Sequence, residues 1–301
     1  MKEIIFIAGR GRSGSTLLGK VFDSIPSVFH VGELRYFSQI GYLENRECEC
    51  GSRLASCPRW GRILNRIRLN FNPNDIYALS KSLPTHAELY LRKMLRMGVR
   101  FDPLYLSFIQ RLYEECFEVA GCDYIVDTSK FPVHLLSVVQ TGHFKVKVIL
   151  LTRDPRGTSN SWSKKRQSSA GQSSGMVGTH SFIKESLKWR LWNRLLSRLL
   201  EDVNHSIHVR WEDFTAHPIS ETERIVSQLK LDLPMPEFLS PSSIRLGEGH
   251  AFWGNSSRRL SGPTEIRREE AWIDEMGALK SRFIYNLAGA SKYGYAGLCD
   301  K

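Results

Sequence analysis

Short apolar runs recur along the chain, and each ends on a polar motif. Lys2 to Ala8 is β-branched and apolar and stops at a Gly-rich turn, after which Leu17, Leu18, Val21 and Phe22 give Ser15 to Ser24 one apolar helical face. The pattern predicts strand, loop and helix in that order. A second strand is expected at Asp123 to Val126, leading into Asp127-Thr128-Ser129-Lys130, with Pro132 placed to open a helix through Val139. Lys145 to Leu151 predicts a third strand, which delivers Thr152-Arg153-Asp154-Pro155 at its carboxyl end. Ser206 to Arg210 predicts a fourth, preceded by an amphipathic helix from about Ser181 to Glu201 and followed by a helix from Glu221 to Gln228.

Strands that alternate with helices imply an α/β fold: a P-loop-like three-layer arrangement with a central parallel β-sheet flanked by helices. Such sheets bind ligands beyond the carboxyl ends of their strands, which is where the polar motifs fall. The segment from about Tyr42 to Gly121 breaks the alternation and is read as a helical insertion. Within it, Leu54 to Leu69 and Tyr105 to Val119 predict helices, and Asn70-Phe71-Asn72-Pro73-Asn74 predicts a turn or loop. The whole chain, 1–301, is expected to form a single domain around this insertion. The Ser- and Gly-rich stretch Gln167 to Gly178 reads as a surface loop in preference to a lid.

Composition narrows the function without choosing it. With 42% hydrophobic and 24% charged residues among 301, the chain can bury a sizeable core and is not a disordered sequence. A formal charge of +11 favours an anionic ligand, an acidic acceptor, nucleic acid or an anionic membrane surface. The apolar start meets Arg10 and Arg12 too soon for a signal peptide, and no later run approaches a membrane span, so a cytoplasmic location is expected. Cysteines 48, 50, 57, 116, 122 and 299 are too few and too clustered to build a disulfide framework.

The candidate chemistry begins at Gly9-Arg10-Gly11-Arg12-Ser13-Gly14-Ser15-Thr16, between the first strand and its helix. Glycines there let successive N–H groups and a helix N-terminus converge on an anion such as a phosphate. The spacing is that of a Walker A loop, yet Ser15 stands where that loop has its Lys. A nucleoside triphosphatase needs that Lys, whereas a donor with a 5′-phosphosulfate is served by backbone donors and a cation such as Arg12. The second motif, Arg153-Asp154-Pro155-Arg156-Gly157-Thr158-Ser159-Asn160-Ser161, puts Arg153 at a strand edge and Ser161 about two turns along a helix. Both then reach one anionic group, or else Arg153 simply pairs with Asp154.

Together these residues resemble those of sulfotransferases that use 3′-phosphoadenosine 5′-phosphosulfate (PAPS). Gly9 to Leu18 resembles the family's 5′-phosphosulfate loop, and Arg153 and Ser161 have the spacing of its pair for the 3′-phosphate. Gly32-Glu33-Leu34 is similar to the Gly-Glu segment of the tyrosylprotein and bacterial members, where the Glu is the general base. Asp127-Thr128-Ser129-Lys130 resembles a segment whose Lys assists transfer, and Gly254-Asn255-Ser256-Ser257-Arg258 a late segment of bacterial members. No His stands where cytosolic members place their base, and their late Arg-Lys-Gly clamp is replaced by the region of Arg258 and Arg259.

The resemblance therefore implies Glu33, Lys130 and Arg12 as catalytic residues. It implies Arg12, Ser13, Gly14, Ser15, Thr16, Arg153, Ser161 and Arg258 as donor-binding residues, PAPS as donor and no metal. It does not name the acceptor, for which a carbohydrate, lipid, phenol or peptide tyrosine all remain. Two rival readings are a P-loop kinase or ATPase and a basic nucleic-acid-binding protein. The second is disfavoured because the basic residues are dispersed and no nucleic-acid module is apparent.

Plainer roles compete at each position. Glu33 could pair with Arg35 or Arg12 at the surface, Lys130 could screen Asp127, and Lys164, Lys165 and Arg166 suit a solvated helix end. Arg258 and Arg259 lie in a polar stretch where solvent exposure is usual. Cys48, Cys50 and Cys57 offer three thiolates with no neighbouring His, so buried or redox-sensitive thiols are preferred to zinc. Leu187, Trp189, Leu191, Trp192, Leu195 and Leu196 are expected in the core and not as an acceptor platform.

Overall fold

Seven residues, Glu3–Gly9 (β1), form the centre of a parallel five-stranded sheet, because this uninterrupted apolar run can be buried on both faces. In the computed structural model, which describes residues 2–163, 181–201, 203 and 205–296, the following elements are α1 (Ser15–Asp23) and β2 (Val28–Gly32). Four helices come next: α2 (Trp60–Arg68), α3 (Pro73–Lys81), α4 (His86–Met94) and α5 (Pro103–Ala120). The alternation then resumes with β3 (Tyr124–Lys130), α6 (Pro132–Thr141), β4 (Lys145–Thr152), α7 (Pro155–Ser163), α8 (Phe182–Leu200) and β5 (Ser206–Arg210). After α9 (Trp211–Ala216) and α10 (Pro218–Gln228), three short strands form an antiparallel sheet: β6 (Phe238–Ser240), β7 (Ser243–Leu246) and β8 (Gly262–Glu265). Helices α11 (Ala271–Glu275) and α12 (Ala278–Ala288) close the described chain.

The strand order β2-β3-β1-β4-β5 places β1 between β3 and β4, with Ile4 opposite Ile125 and Val146. Period-two alternation then sorts its side chains into two cores. Ile4, Phe6 and Ala8 pack with residues of α2, α5, α6 and α8, while Ile5 and Ile7 pack with Leu18, Val21 and Phe22 of α1 and with Phe214 and Ile225. Each of the buried Ile and Phe side chains contributes about 1.5–3 kcal/mol by leaving water, so the strand that carries the phosphate-loop motif is among the most firmly held.

Several boundaries differ from the sequence expectation for physical reasons. The strand expected to stop at Val126 continues through Lys130, since Phe6 pairs with Asp127 and Ala8 with Lys130. Buried Asp127 is tolerated there because its carboxylate accepts hydrogen bonds from the Tyr113 hydroxyl and from Ser129 N at 2.6 Å, beside His134 Nε2 at 3.3 Å. That network, and not Lys130, answers the Asp127 charge. The helix expected from Leu54 begins at Trp60 because Cys57-Pro58 interrupts it, leaving a short 3₁₀ turn at Leu54–Ser56. Asn72, placed in a loop, caps α3 by accepting from Asn74 N at 2.9 Å, and Thr85 and Glu88 form a capping box on α4. The helix expected at Glu221 starts one turn earlier, at Pro218. Leu187 is exposed, whereas Trp189, Leu195 and Leu196 are buried as expected. Lys164, Lys165, Arg166 and the Gln167 to Gly178 stretch lie outside the described residues. Among the described residues no helix is long and apolar enough to cross a membrane.

Candidate active site

A cavity of about 550 Å³ opens where β1, β2, β3 and β4 end, and the polar motifs meet in it. The loop after β1 supplies Arg10, Gly11, Arg12, Gly14, Ser15 and Thr16; the end of β2 supplies Glu33; the end of β3 supplies Lys130; and Arg153 and Ser161 come from the β4–α7 junction. These residues span about half the sequence, yet a parallel sheet places all their strand ends on one edge.

Tight backbone contacts shape the loop. Gly14 precedes α1 with φ 93°, and a side chain there would meet the Trp211 ring at 2.2–2.5 Å, so only glycine lets the loop lie against α9. Helix α1 begins at Ser15; Leu17 N and Leu18 N donate to the Gly14 carbonyl at 3.0 and 3.1 Å, which leaves the N–H groups of Ser15 and Thr16 at the helix start to receive an anion. Ser13 is buried and is not in the cavity wall. Arg12 has φ 73° and lays its guanidinium 5.0 Å from the centre of the Trp162 ring.

Glu33 faces Lys130. The Lys130 ammonium donates to Glu33 Oε1 at 2.5 Å and to the Thr128 carbonyl at 2.9 Å, and both side chains are largely buried. The surface alternatives fail: Glu33 pairs with neither Arg35 nor Arg12 but with Lys130, while Arg35 lies over Phe131 at 5.1 Å. Lys130 itself has φ 69°, a strained left-handed conformation of the kind that collects at functional sites. The base of the pair is anchored from both sides, since Glu33 N donates to Trp253 O at 3.0 Å and Arg35 N to Ser129 Oγ at 3.0 Å.

Arg153 is directed into the cavity because Asp154 is already engaged. Arg156 holds the Asp154 carboxylate through Nε at 2.9 Å and a terminal nitrogen at 2.6 Å. Arg153 is left to donate to the Arg12 carbonyl at 3.3 Å and to Glu269 Oε2 at 3.4 Å. Arg258 departs from the solvated reading: it is buried next to the cavity wall, donating to the Gly254 carbonyl at 2.9 Å and resting 5.6 Å from the Trp253 ring. Its neighbours Gly254, Asn255, Ser256 and Ser257 do line the cavity. Arg258 thus shapes that segment from beneath.

Sequence reasoning missed the aromatic wall. Trp162, Trp192, Trp211 and Trp253 line the cavity with Tyr36 and Phe131, and Trp192 stacks on His86 at 3.8 Å. Trp192 was expected as core; it is buried and also a wall residue. Burial next to Arg35 and Arg10 lowers the His86 pKa to about 4. Arg10, Arg267 and Glu269 also line the site. Arg10 was visible within the loop motif, whereas Arg267 and Glu269 carry no local signal and arrive only through tertiary packing. Cations outnumber carboxylates in the wall, which makes the cavity electropositive.

The sequence model of the sulfotransferase family matches residues 4–235, which include every motif described above except the segment at Gly254. The chain belongs to the sulfotransferase family. Its fold is similar to the sulfotransferase domain of the olefin synthase from Synechococcus PCC 7002, with a TM-score of 0.53, 18% identity, and coverage of 98% of this chain and 97% of that one. Sulfotransferase STF9 from Mycobacterium avium aligns with a TM-score of 0.44 and 15% identity over 76% of this chain and 64% of that chain. Sulfotransferase STF1 from Mycobacterium tuberculosis H37Rv gives 0.44 and 15% over 78% and 69%. A search of curated proteins finds no match. The protein is a sulfotransferase built on an α/β sheet whose carboxyl edge carries the cavity.

Proposed function

We propose that this sulfotransferase moves a sulfuryl group from PAPS to a hydroxyl or amino acceptor, such as a carbohydrate, lipid, phenol or peptide tyrosine. The observation that carries the reading is the Glu33–Lys130 pair facing the Gly-rich loop within one electropositive cavity. The cavity volume lies within the range of about 300–1,000 Å³ typical of small-molecule sites. Loop N–H groups at Ser15 and Thr16, with Arg12, hold the 5′-phosphosulfate, and Arg153 and Ser161 hold the 3′-phosphate. An anion at Arg153 competes with Glu269 for the guanidinium, and the tryptophan faces offer a surface for the purine.

In this reading the acceptor oxygen or nitrogen attacks sulfur in line with the bridging oxygen. One S–O or S–N bond forms as the bond from sulfur to the 5′-phosphate breaks, and adenosine 3′,5′-bisphosphate leaves. Glu33 takes the acceptor proton. Lys130 and Arg12 stabilise charge that builds on the sulfuryl and bridging oxygens. The whole chain acts as one catalytic unit in this proposal, with its helical segment 42–121 helping to shape the acceptor side.

The experiment is calorimetric binding of adenosine 3′,5′-bisphosphate, PAPS and magnesium-ATP, followed by turnover of labelled PAPS against extracted cellular acceptors. Bisphosphate and PAPS binding with sulfated product supports the proposal. Tight magnesium-ATP binding with hydrolysis, and none of PAPS, sinks it in favour of a kinase or ATPase.

A further inference from the structure

Three cysteines close in sequence acquire a fourth partner from the far end of the chain. Cys48, Cys50 and Cys57 converge with His250, and their ligand atoms all lie within 4.8 Å of one another. Cys57 Sγ is 3.7 Å from Cys48 Sγ and 3.8 Å from Cys50 Sγ, while His250 Nδ1 is 3.3 Å from Cys57 Sγ and 3.8 Å from Cys48 Sγ. A tetrahedral zinc ion, with bonds of about 2.3 Å to sulfur and about 2.0–2.1 Å to nitrogen, sets sulfur–sulfur edges near about 3.8 Å and sulfur–nitrogen edges near about 3.5 Å. These four edges lie within about 0.3 Å of those values. A disulfide needs its sulfurs at about 2.05 Å, and all three thiols are free.

We propose that Cys48, Cys50, Cys57 and His250 bind one zinc ion as a closed structural site. The sequence count of three thiolates stopped one ligand short because His250 lies about 190 residues downstream of Cys57. On binding, the three thiols release their protons to solvent and His250 coordinates through Nδ1. The backbone is arranged for this role. Gly51, with φ 83°, turns the chain back so that Gly51 N donates to the Cys48 carbonyl at 3.0 Å and Cys48 N to Ser52 O at 2.9 Å, which brings Cys48 and Cys50 onto one side. Cys57 stands just before α2, near the positive end of that helix, where a thiolate is favoured.

Four protein ligands leave no open position for substrate, so the ion fastens segments together and takes no part in transfer. The segments are informative. Trp60 Nε1 donates to the His250 carbonyl at 2.6 Å, Glu49 N to Ala251 O at 3.1 Å, and Ala251 N to Glu49 Oε2 at 2.9 Å. Glu49 also pairs with buried Lys20 of α1. Beyond His250 the chain runs beside β2, with Phe252 N donating to Val31 O at 3.0 Å, and then enters the cavity wall at Gly254. Zinc therefore ties the wall segment 250–257 to α1 and α2.

The test begins with the full chain purified under reducing conditions without added metal, its zinc counted by mass spectrometry of the elements. About one zinc per chain, released in step with thiol modification, is expected. Cobalt exchanged into the chelator-treated protein should give thiolate charge-transfer bands and the intense visible bands of a tetrahedral ion. Cys50→Ser and His250→Ala should each weaken zinc at least about 10-fold in competition with a chromophoric chelator, while Cys122→Ser leaves it unchanged. A folded, reduced wild-type chain that holds no zinc and gives no tetrahedral cobalt spectrum overturns the proposal, as does a Cys48–Cys57 or Cys50–Cys57 disulfide in the peptide map. Full zinc affinity in either ligand variant overturns the ligand set. If a variant does not fold, the wild-type cobalt spectrum and zinc count decide.

Discussion

Lys130 Nζ donates to Glu33 Oε1 at 2.5 Å, joining the carboxyl ends of two neighbouring strands, β2 and β3, at the mouth of the Gly-rich loop. The contact spans 97 residues of sequence and depends on both strands ending at the same level. It places a carboxylate and a cation side by side, the pair on which the proposed in-line transfer relies.

Glu33→Gln preserves shape and a hydrogen-bond acceptor for Lys130 but cannot take a proton. Single-turnover transfer from saturating PAPS should slow by roughly 10²- to 10⁴-fold, with adenosine bisphosphate affinity nearly unchanged. A near-normal rate removes Glu33 from the chemistry. Equal losses of rate and donor affinity would instead mark it as a binding residue.

Arg153→Ala should weaken adenosine 3′,5′-bisphosphate by about 10- to 100-fold, the scale of a hydrogen bond to a charged group, and Ser161→Ala by about 10-fold or less. Adenosine 5′-phosphate should lose little in either variant. Calorimetry with both ligands checks this, and parallel losses would show that the pair does not read the 3′-phosphate.

The parts legible from sequence were those encoded locally. β5 is found at the predicted residues, Ser206–Arg210, where Ile207 and Val209 alternate with polar residues on an edge strand, and β1 and β4 fall within a residue of expectation because buried parallel strands are continuous apolar runs. Glu33, Lys130 and Arg153 reach the cavity from the ends of strands, and Ser161 reaches it from about two turns along α7. What escaped depends on tertiary packing. Trp211 and Trp253 become wall residues only when α9 and the segment after His250 fold back on the loop, and the exposure expected for Arg258 fails for the same reason. The helices α3 and α4 had legible caps, Asn72-Pro73 and Thr85 with Glu88, but only nine residues each to show a period.

Gly14→Ala tests the packing of the loop itself. An alanine there must hold φ near 93° and admit a methyl carbon where Trp211 ring carbons stand 2.2–2.5 Å away. Strain and overpacking together should cost about 2–5 kcal/mol in chemical denaturation and weaken the donor as the loop shifts. Trp211→Leu in the same background should recover part of the stability by removing the clash. Unchanged stability in the single variant would mean that the loop and α9 are not in contact.

The last prediction concerns acid. His30, in the middle of β2, is fully buried, with Nε2 3.1 Å from Thr128 Oγ1, and its backbone N–H donates to Asp23 Oδ1 at 2.7 Å. Burial, with Lys20 and Lys130 as nearby cations against Asp127, lowers its pKa from 6.5 to about 3. The folded state therefore refuses a proton that the unfolded chain accepts. Stability from this group is fully present above pH 6.5 and is lost as pH falls from 6.5 toward about 3, by at most about 5 kcal/mol at 1.36 kcal/mol per pKa unit. Asp23 acts with the opposite sign: burial raises its pKa from 3.8 to about 6, so its contribution grows as pH falls through 6 toward 3.8. The two partly cancel between these limits, and removing one exposes the other. Asp23→Asn should steepen the loss of stability with acid, and His30→Gln should flatten or reverse it, measured as denaturant midpoints from pH 7.5 to pH 4.5. Parallel curves for the wild type and both variants would show that neither buried group titrates differently on folding.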